Sequence, residues 1–246
     1  MATHTYLEQV RRTGVVVTPD GTSRPIDSHV SLEEGLFLQR IIRDTRPAIS
    51  LEIGIAFGIS SMFICEALRE VGSSTHIAID PGPVYHHGTE VLDRCGLGLL
   101  NLERCGYRDM VEFHEAPSEL VLPDLLKRGQ RIDFAFVDGW HTFDHCLLDF
   151  FYVNRLLNPG GVVVFHDTRM PSIRRVIRYV ANYPAYRIYG AAIPPRATFE
   201  SRRRGIERVI AFGLHLGRSI LPRQATTMAI QKLGSDDRTW TWYRRF

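Results

Sequence analysis

The chain has 246 residues, of which 44% are hydrophobic and 23% are charged, and its formal net charge at pH 7 is +3. These values are typical of a globular protein, and the absence of any run of eighteen apolar residues excludes a transmembrane helix of ordinary length. Residues 1–12 lack the basic-then-apolar order of a secretory signal, and no metal or disulfide spacing relates Cys65, Cys95, Cys105 and Cys146, so we expect reduced thiols and a cytoplasmic location.

The pattern predicts an N-terminal arm followed by alternating helices and strands. Residues 1–30 are mainly polar and contain several glycines and prolines, so we expect them to form the arm. Ser31 and Glu34 fit a capping box that begins a helix, and Pro47 ends it. Further helices are predicted at 60–71, 118–127, 142–157 and 172–181, and short apolar strands at 48–53, 75–79, 111–114, 132–137, 162–165, 186–189 and 227–232. Residues 85–106 are expected to be helical or irregular.

Five short apolar strands, each followed by a helical segment, are typical of a parallel sheet covered by helices on both faces. We therefore predict the α/β class, with a doubly wound sheet in a single domain over residues 31–246. An insertion at about 191–225 interrupts the alternation before the last strand. It contains three consecutive arginines, 202–204, and an apolar run over 209–221.

Charge is distributed unevenly along the chain. Residues 1–168 hold 14 Lys/Arg and 23 Asp/Glu, whereas residues 169–246 hold 16 and 4. The basic C-terminal third is compatible with an anionic substrate, a phosphate, a membrane surface or nucleic acid as partner, and equally with a solvated basic face. For the insertion, four interpretations stay open: packing on the domain, a lid over the substrate, a homodimer contact, or contact of residues 202–221 with a membrane surface.

Polar residues of catalytic type follow the predicted strands directly. Ligands of open parallel sheets bind outside the carboxyl ends of the strands, so these residues are expected at one edge. They are Glu52 and Gly54 in the first strand and turn, Asp80 after the second strand, Asp138 and His141 after the fourth, and His166 and Asp167 after the fifth.

The turn from Glu52 to Ser60 differs from the dinucleotide-binding pattern because its glycines, Gly54 and Gly58, are four residues apart. Glycine permits a sharp turn and close approach of the backbone to a ligand, and the helix that follows offers free N–H groups. Asp80, one strand later, is the type of residue that accepts hydrogen bonds from ribose hydroxyls. Together these features favour a ligand that contains adenosine.

Two longer blocks are more specific: Phe134-Ala-Phe-Val-Asp-Gly-Trp-His-Thr142 and Pro159-Gly-Gly-Val-Val-Val-Phe-His-Asp-Thr168. With the glycine turn, they resemble the class I S-adenosylmethionine-dependent methyltransferases. The similarity is greatest to the small O-methyltransferase group with a Val/Ile-Asp-Gly-x-His motif, which includes the macrocin-type sugar enzymes. The resemblance covers residues 31–190 and the last strand. It implies a Rossmann-like sheet of seven strands, the last of them antiparallel.

By position, the resemblance implies that Glu52, Gly54, Gly58 and Ser60 surround the methionine part of the cofactor and that Asp80 holds its ribose. Ser118 would lie near the adenine, although this chain has Ala116-Pro117-Ser118 where the family usually has Gly-Asp-Ser. Asp138 would contact the cofactor as well, and it would bind a divalent cation such as Mg²⁺ together with Asp167. Thr168, the third metal candidate, stands where Asn or Asp is common in relatives.

These residues lead to a hypothesis for the reaction. A hydroxyl group is a poor nucleophile at neutral pH, so transfer of a methyl group to it requires a base or a metal. Asp138 and Asp167 offer the hard oxygen ligands that Mg²⁺ prefers, and His141 has a pKa range suited to a base. We therefore expect O-methylation of a small molecule such as a sugar, natural product or phenol.

Three alternatives differ in class: a nicotinamide-dependent oxidoreductase, a non-enzymatic binding module, and a methyltransferase directed at nucleic acid or lipid through the basic C-terminal third. The missing GxGxxG opposes the first, and the catalytic-type residues oppose the second. No Asn/Asp-Pro-Pro-Tyr/Phe motif is present, so DNA is not expected as a partner.

Overall fold

A computed structural model describes residues 3–26, 29–73, 75–82, 84–87, 90–93, 96–193, 222 and 224–245. The helices of the described chain are α1 (Thr3–Thr13), α2 (Leu32–Thr45), α3 (Ile59–Val71), α4 (Leu97–Arg104), α5 (Ser118–Lys127), α6 (Phe143–Leu156) and α7 (Pro171–Val180). The strands are β1 (Val15–Val17), β2 (Ser23–Pro25), β3 (Ile49–Ile53), β4 (Thr75–Asp80), β5 (Val84–His87), β6 (Glu90–Asp93), β7 (Val111–Glu115), β8 (Ile132–Val137), β9 (Leu157–Phe165), β10 (Tyr186–Ala192) and β11 (Thr227–Lys232).

Seven strands form one sheet in the order β10-β11-β9-β8-β3-β4-β7. The five strands from β3 to β9 in this sheet pair in parallel, whereas β11 pairs antiparallel with both β9 and β10. The predicted doubly wound sheet with an antiparallel last strand is therefore confirmed. The parallel strands are apolar throughout because both faces of the sheet are covered.

Apolar side chains pack in two layers, one on each face of the sheet. One layer contains side chains of α2, α3 and α4, and the other contains side chains of α5, α6 and α7. Val162, Val163, Val164 and Phe165 of β9 are all fully buried and point alternately into the two layers, as the period of a strand requires. This covering leaves the ends of the strands, rather than the faces of the sheet, available to ligands.

The N-terminal residues are more ordered than the expected arm. Residues 3–13 form α1, and β1 pairs antiparallel with β2. Leu7, Val10 and Val16 are buried in the layer that contains α2 and α3. Their apolar side chains are spaced to lie on one side of the helix and hairpin, a signal that the surrounding polar residues and turn formers obscure.

Two other segments differ from the sequence expectation. Within residues 85–106, β5 and β6 form an antiparallel pair before α4 begins. Residues 158–161, which lie between a predicted helix and a predicted strand, belong to β9. The pairing of β9 with β8 shifts register here, and Gly160 has a φ of +88°. Most of the expected insertion, 194–221 and 223, lies outside the described residues, so the interpretations of its apolar run and arginines stay predictions.

None of the helices in the described ranges combines the length and apolar character that a membrane span requires. Near the C-terminus, Trp242 lies edge-on to Tyr183 with ring centroids 5.5 Å apart, whereas Trp240 is 97% exposed.

Candidate functional site

The central strands place the candidate residues at one edge of the sheet. Ile53 of β3 is aligned with Val137 of β8, and Val137 is aligned with Phe165 of β9. The backbone N–H of Asp138 donates to the Ile53 carbonyl at 2.9 Å, and that of His166 donates to the Val137 carbonyl at 3.2 Å. The backbone hydrogen bonds between neighbouring strands thus continue one residue beyond β8 and β9. The loops that follow these two strands therefore begin side by side.

Asp138, His141 and Asp167 form a compact group. His141 Nε2 lies 3.3 Å from Asp138 Oδ1 and 3.4 Å from Asp167 Oδ2. One potential ligand atom from each of the three lies within 4.8 Å of the others, and each residue is partly exposed. Two carboxylates and an imidazole with access to solvent are a suitable set for a divalent cation. Among the described residues, this is the group of three or more that could hold a metal ion.

Charge within the group favours a protonated His141. The hydrogen bond to Asp138 raises the pKa of His141; burial opposes this effect, and the charges of Asp138 and Asp167 add to it. Burial raises the pKa of Asp138, but the adjacent His166 and His141 outweigh it and hold that pKa below its ordinary value. The group therefore carries both signs of charge in direct contact.

His166 joins this group to the interior of the protein. Its Nδ1 lies 2.9 Å from Asp138 Oδ1, and its Nε2 lies 3.3 Å from Glu34 Oε1. Burial lowers the pKa of His166, but the Asp138 and Glu34 carboxylates outweigh burial and raise it to about 11. The His166 cation lies between the Glu34 and Asp138 carboxylates and orients the Asp138 side chain from the buried side of the group. The sequence analysis left His166 without an assigned role.

Glu34 has two functions that its sequence position reveals only in part. Its Oε2 accepts a hydrogen bond from the Ser31 N–H at 2.8 Å, which completes the predicted capping box of α2. Its Oε1 accepts from Thr227 Oγ1 at 2.8 Å and faces His166. The cap is readable from the sequence, whereas contacts across 193 residues, as between Glu34 and Thr227, require the fold.

The glycine turn lies against the same group. Gly54 has a φ of +89°, and a Cβ atom built there would lie 2.2 Å from the Asp138 carbonyl oxygen. Gly58 has a φ of +74°, and its Cβ would lie 2.8 Å from the Gly98 carbonyl oxygen. Both positions require glycine, for conformation and for space. The turn also holds Ala56 at a φ of +50°, a left-handed conformation that is costly for alanine.

The Asp80 carboxylate, at the end of β4, forms hydrogen bonds with the backbone of this turn. Its Oδ2 accepts hydrogen bonds from the backbone N–H groups of Ile55 at 2.9 Å and Ala56 at 3.3 Å, and its Oδ1 accepts from Gly82 at 3.1 Å. The side chain is 8% exposed at the end of the strand. Asp80 therefore lies beside the turn, as the sequence analysis expected, and supports its backbone.

The comparisons with known proteins agree with this geometry. Residues 51–168 match a family model described as a methyltransferase domain. Caffeoyl-CoA O-methyltransferase 2 of Zea mays is 30% identical over 141 residues, which are 56% of this chain and 48% of that protein. Tapetum-specific methyltransferase 1 of Arabidopsis thaliana is 29% identical over 140 residues, 56% of this chain and 54% of that protein. The chain thus spans about half the length of these curated relatives.

By these matches, the chain is similar to the small O-methyltransferases of the class I S-adenosylmethionine-dependent group.

Solved structures show the same fold. An O-methyltransferase from Bacillus cereus in complex with S-adenosylhomocysteine superimposes with a TM-score of 0.60 at 17% identity, over 94% of this chain and 91% of that one. The O-methyltransferase TomG from Streptomyces achromogenes, in complex with S-adenosylmethionine, gives 0.53 at 21% identity, over 95% and 90%. These structures agree with the predicted fold, and the family model and the curated relatives support the resemblance inferred from the sequence, while its macrocin-type branch stays a prediction.

Two of the residues predicted to contact the cofactor, Glu52 and Ser60, lie behind the glycine turn and contact each other. Glu52 is fully buried, and its carboxylate accepts hydrogen bonds from Ser60 Oγ and Ser61 Oγ. His76 Nε2 lies 3.0 Å from Glu52 Oε2. Glu52 and Ser60 thus contact each other and join β3 to the first turn of α3, and their direct contact with the cofactor stays a prediction.

Thr168 does not join the carboxylates of the methyltransferase site. It is fully buried, and its Oγ1 donates a hydrogen bond to the Ala225 carbonyl at 2.7 Å. The candidate metal group contains His141 in its place. Thr168 points away from the carboxylates because the left-handed backbone at Asp167, with a φ of +49°, turns the chain there. Thr168 then forms hydrogen bonds with the carbonyls of residues 225 and 226.

Ser118 begins α5, and its Oγ donates to Asp149 Oδ1 at 2.6 Å. Asp149 lies on α6, and only 2% of this residue is exposed. Burial raises the pKa of Asp149 to about 6, although the hydrogen bond from Ser118 opposes the shift. Asp149 also lies beneath Gly139, where its Oδ2 is 3.6 Å from the position of an added Cβ. A buried carboxylate therefore separates Ser118 from the loop that carries Asp138.

Proposed function

We propose that the protein transfers a methyl group from S-adenosylmethionine to a hydroxyl oxygen of a small molecule. The observation that carries the proposal is the contact of Gly54 with the Asp138 carbonyl, which joins the glycine turn to the Asp138, His141 and Asp167 group. A cofactor at the turn and an acceptor hydroxyl at the group would then be adjacent, as in-line transfer of a methyl group requires.

The residues around the turn fit the cofactor. Gly58, the N-cap of α3, supplies no side-chain cap, so the first N–H groups of this helix are suited to the carboxylate of an amino acid. Asp80 offers carboxylate oxygens beside the same turn for ribose hydroxyls. When bound, S-adenosylmethionine supplies the activated methyl group, and the chain supplies position and proton transfer.

His141 is the residue we assign to the proton of the acceptor. Its Nε2 faces both carboxylates, which stabilise the imidazolium that forms when the hydroxyl proton is accepted. The raised pKa makes the neutral imidazole a stronger base, but the neutral form must first be present. A cation held by Asp138 and Asp167 would orient the acceptor oxygen and lower the pKa of the hydroxyl.

Because His141 lies beside both carboxylates, it could act as the base or as a third metal ligand. Substitutions distinguish these two roles. If His141 is the base, His141→Gln lowers kcat by about 100-fold or more while Mn²⁺ binding falls less than in Asp138→Asn. His145→Gln is the matched control, because His145 lies in the first turn of α6, is partly exposed and contacts Thr142 and Asp144 rather than Asp138 or Asp167.

The assay is product analysis with methyl-labelled S-adenosylmethionine and a panel of phenols, catechols and sugars. We expect label on a hydroxyl oxygen of the product, with one S-adenosylhomocysteine formed for each methyl group transferred. Label on nitrogen or carbon would contradict the proposed reaction. Unchanged turnover of His141→Gln, together with activity that chelation of metals leaves intact, would contradict the roles assigned to His141 and the carboxylates.

A further inference from the structure

A cleft with a strongly basic lining opens beside the candidate site. Its volume is about 530 Å³, within the range that small-molecule ligands occupy in proteins. Four of the described residues in its lining are arginines, Arg169, Arg174, Arg175 and Arg178, and none of the described lining residues is acidic. Three of the four arginines are exposed, and Arg174 is half-buried.

Two of the four arginines donate hydrogen bonds to neutral backbone carbonyls, Arg169 to Gln224 at 3.4 Å and Arg174 to Pro222 at 3.2 Å. Arg174 and Arg178 are four residues apart on α7, and Arg175 and Arg178 are three apart, so their side chains are neighbours on the helix surface. The first turn of α7 contains no acidic residue, in contrast to α2, whose first turn contains Glu33 and Glu34. The guanidinium groups therefore concentrate positive charge at one wall of the cleft.

The cleft is connected directly to the residues that we assign to the reaction. Ser172, in the lining, donates a hydrogen bond from Oγ to the His141 carbonyl at 2.6 Å. Phe143, also in the lining, follows His141 by two residues, and Arg169 follows Asp167 by two. The helix α7 therefore forms one wall of the cleft, and it contacts the loop that carries His141 at the edge of the cleft.

The lining has an apolar part as well as a basic one. Phe143 is half-buried, and Pro171 is exposed at the first position of α7, so both present apolar surface to the cleft. Guanidinium groups bind phosphate and carboxylate oxygens in pairs of parallel hydrogen bonds. This combination fits a molecule with a ring or chain at one end and an oxyanion at the other.

We propose that the cleft binds a phosphate or carboxylate group of the methyl acceptor, so that the substrate is an anionic small molecule. The arginines of α7 would hold the oxyanion, and the acceptor hydroxyl would reach the Asp138, His141 and Asp167 group. This inference rests on the proposed function for the identity of the bound molecule as acceptor. The presence of an oxyanion site can be tested independently.

The first test measures binding of pyrophosphate by calorimetry at low ionic strength. The double variant Arg175→Gln/Arg178→Gln is compared with Arg187→Gln, a control on β10 whose guanidinium bonds to Gln231 away from the cleft. We expect the wild type and the control to bind and the double variant to bind at least about tenfold more weakly. S-adenosylhomocysteine affinity should be equal in all three proteins.

The second test compares acceptors that differ only in the anion: a catechol, its carboxylate derivative and its phosphate ester. We expect a KM at least about tenfold lower for an anionic member, and loss of that preference in the double variant. The carboxylate and phosphate arms distinguish the two sources of the oxyanion.

Equal pyrophosphate binding by the double variant would overturn the site, and equal KM values for neutral and anionic acceptors would overturn its role in acceptor selection. Binding of the wild type to vesicles with anionic lipids, lost in the double variant, without binding of pyrophosphate would also overturn the proposal. Failure of the wild type to bind S-adenosylhomocysteine would instead contradict the proposed function.

Discussion

Replacement of Gly54 by alanine tests whether the glycine turn and the Asp138 loop form one site. The added Cβ would lie 2.2 Å from the Asp138 carbonyl oxygen, and contacts of this kind are essentially never below 3.0 Å. The loop or the turn must therefore move. The left-handed backbone costs alanine about 1–2 kcal/mol, and the forced displacement costs about 1–3 kcal/mol more. We expect a loss of about 2–5 kcal/mol in the free energy of unfolding.

Gly72→Ala is the matched control for this variant. Gly72 has a φ of +83°, close to the +89° of Gly54, but no atom lies within 4 Å of its added Cβ. The control therefore carries the backbone cost of about 1–2 kcal/mol without the displacement. Urea unfolding of both variants isolates the contribution of the contact.

The same pair of variants connects stability with function. Displacement of the Asp138 loop should weaken binding of S-adenosylhomocysteine by about tenfold or more in Gly54→Ala and leave it unchanged in Gly72→Ala. Calorimetry under conditions where both variants are folded measures this difference. Equal destabilisation by the two substitutions, with wild-type affinity in both, would refute the reasoning that the two segments form one site.

Two further predictions concern buried carboxylates. Burial raises the pKa of Asp149 to about 6 from an ordinary value of 3.8, so the native state favours the protonated form; wild-type stability relative to Asp149→Asn should fall by about 2 kcal/mol as the pH rises from 4 to 7. Urea unfolding at both pH values checks this, and a difference that is independent of pH would contradict it. Glu34→Gln removes a charge that faces His166 and should cost about 1–3 kcal/mol, whereas Glu33→Gln, exposed in the same helical turn, should change stability by less than about 0.5 kcal/mol. Equal effects of the two would show that the contact with His166 stabilises nothing.

Much of the fold could be predicted from the sequence because its signals are local. Continuous apolar segments predicted the parallel strands, and the capping box at Ser31 and Glu34 placed the start of α2 correctly. The hairpin of β5 and β6 was missed because its residues lack a period-2 apolar pattern. The order of α1 was missed because Leu7 and Val10 are few among polar residues.

The site was predictable where a residue follows a strand and unpredictable where long-range packing decides its contacts. Asp138, His141 and Asp167 come together because their strands are neighbours. In contrast, the burial of Glu52 and Asp149 depends on which helices cover them, and no local pattern encodes this.

The most direct test of the central claim is calorimetric titration of the wild type, Asp80→Asn and Asp124→Asn with S-adenosylhomocysteine. Asp124 is an exposed residue of α5 that pairs with Lys127 and serves as control. We predict micromolar binding by the wild type and the control, and a loss of about tenfold or more in Asp80→Asn. Absence of binding by the folded wild type, with or without Mg²⁺, would contradict the assignment of this chain as an S-adenosylmethionine-dependent enzyme.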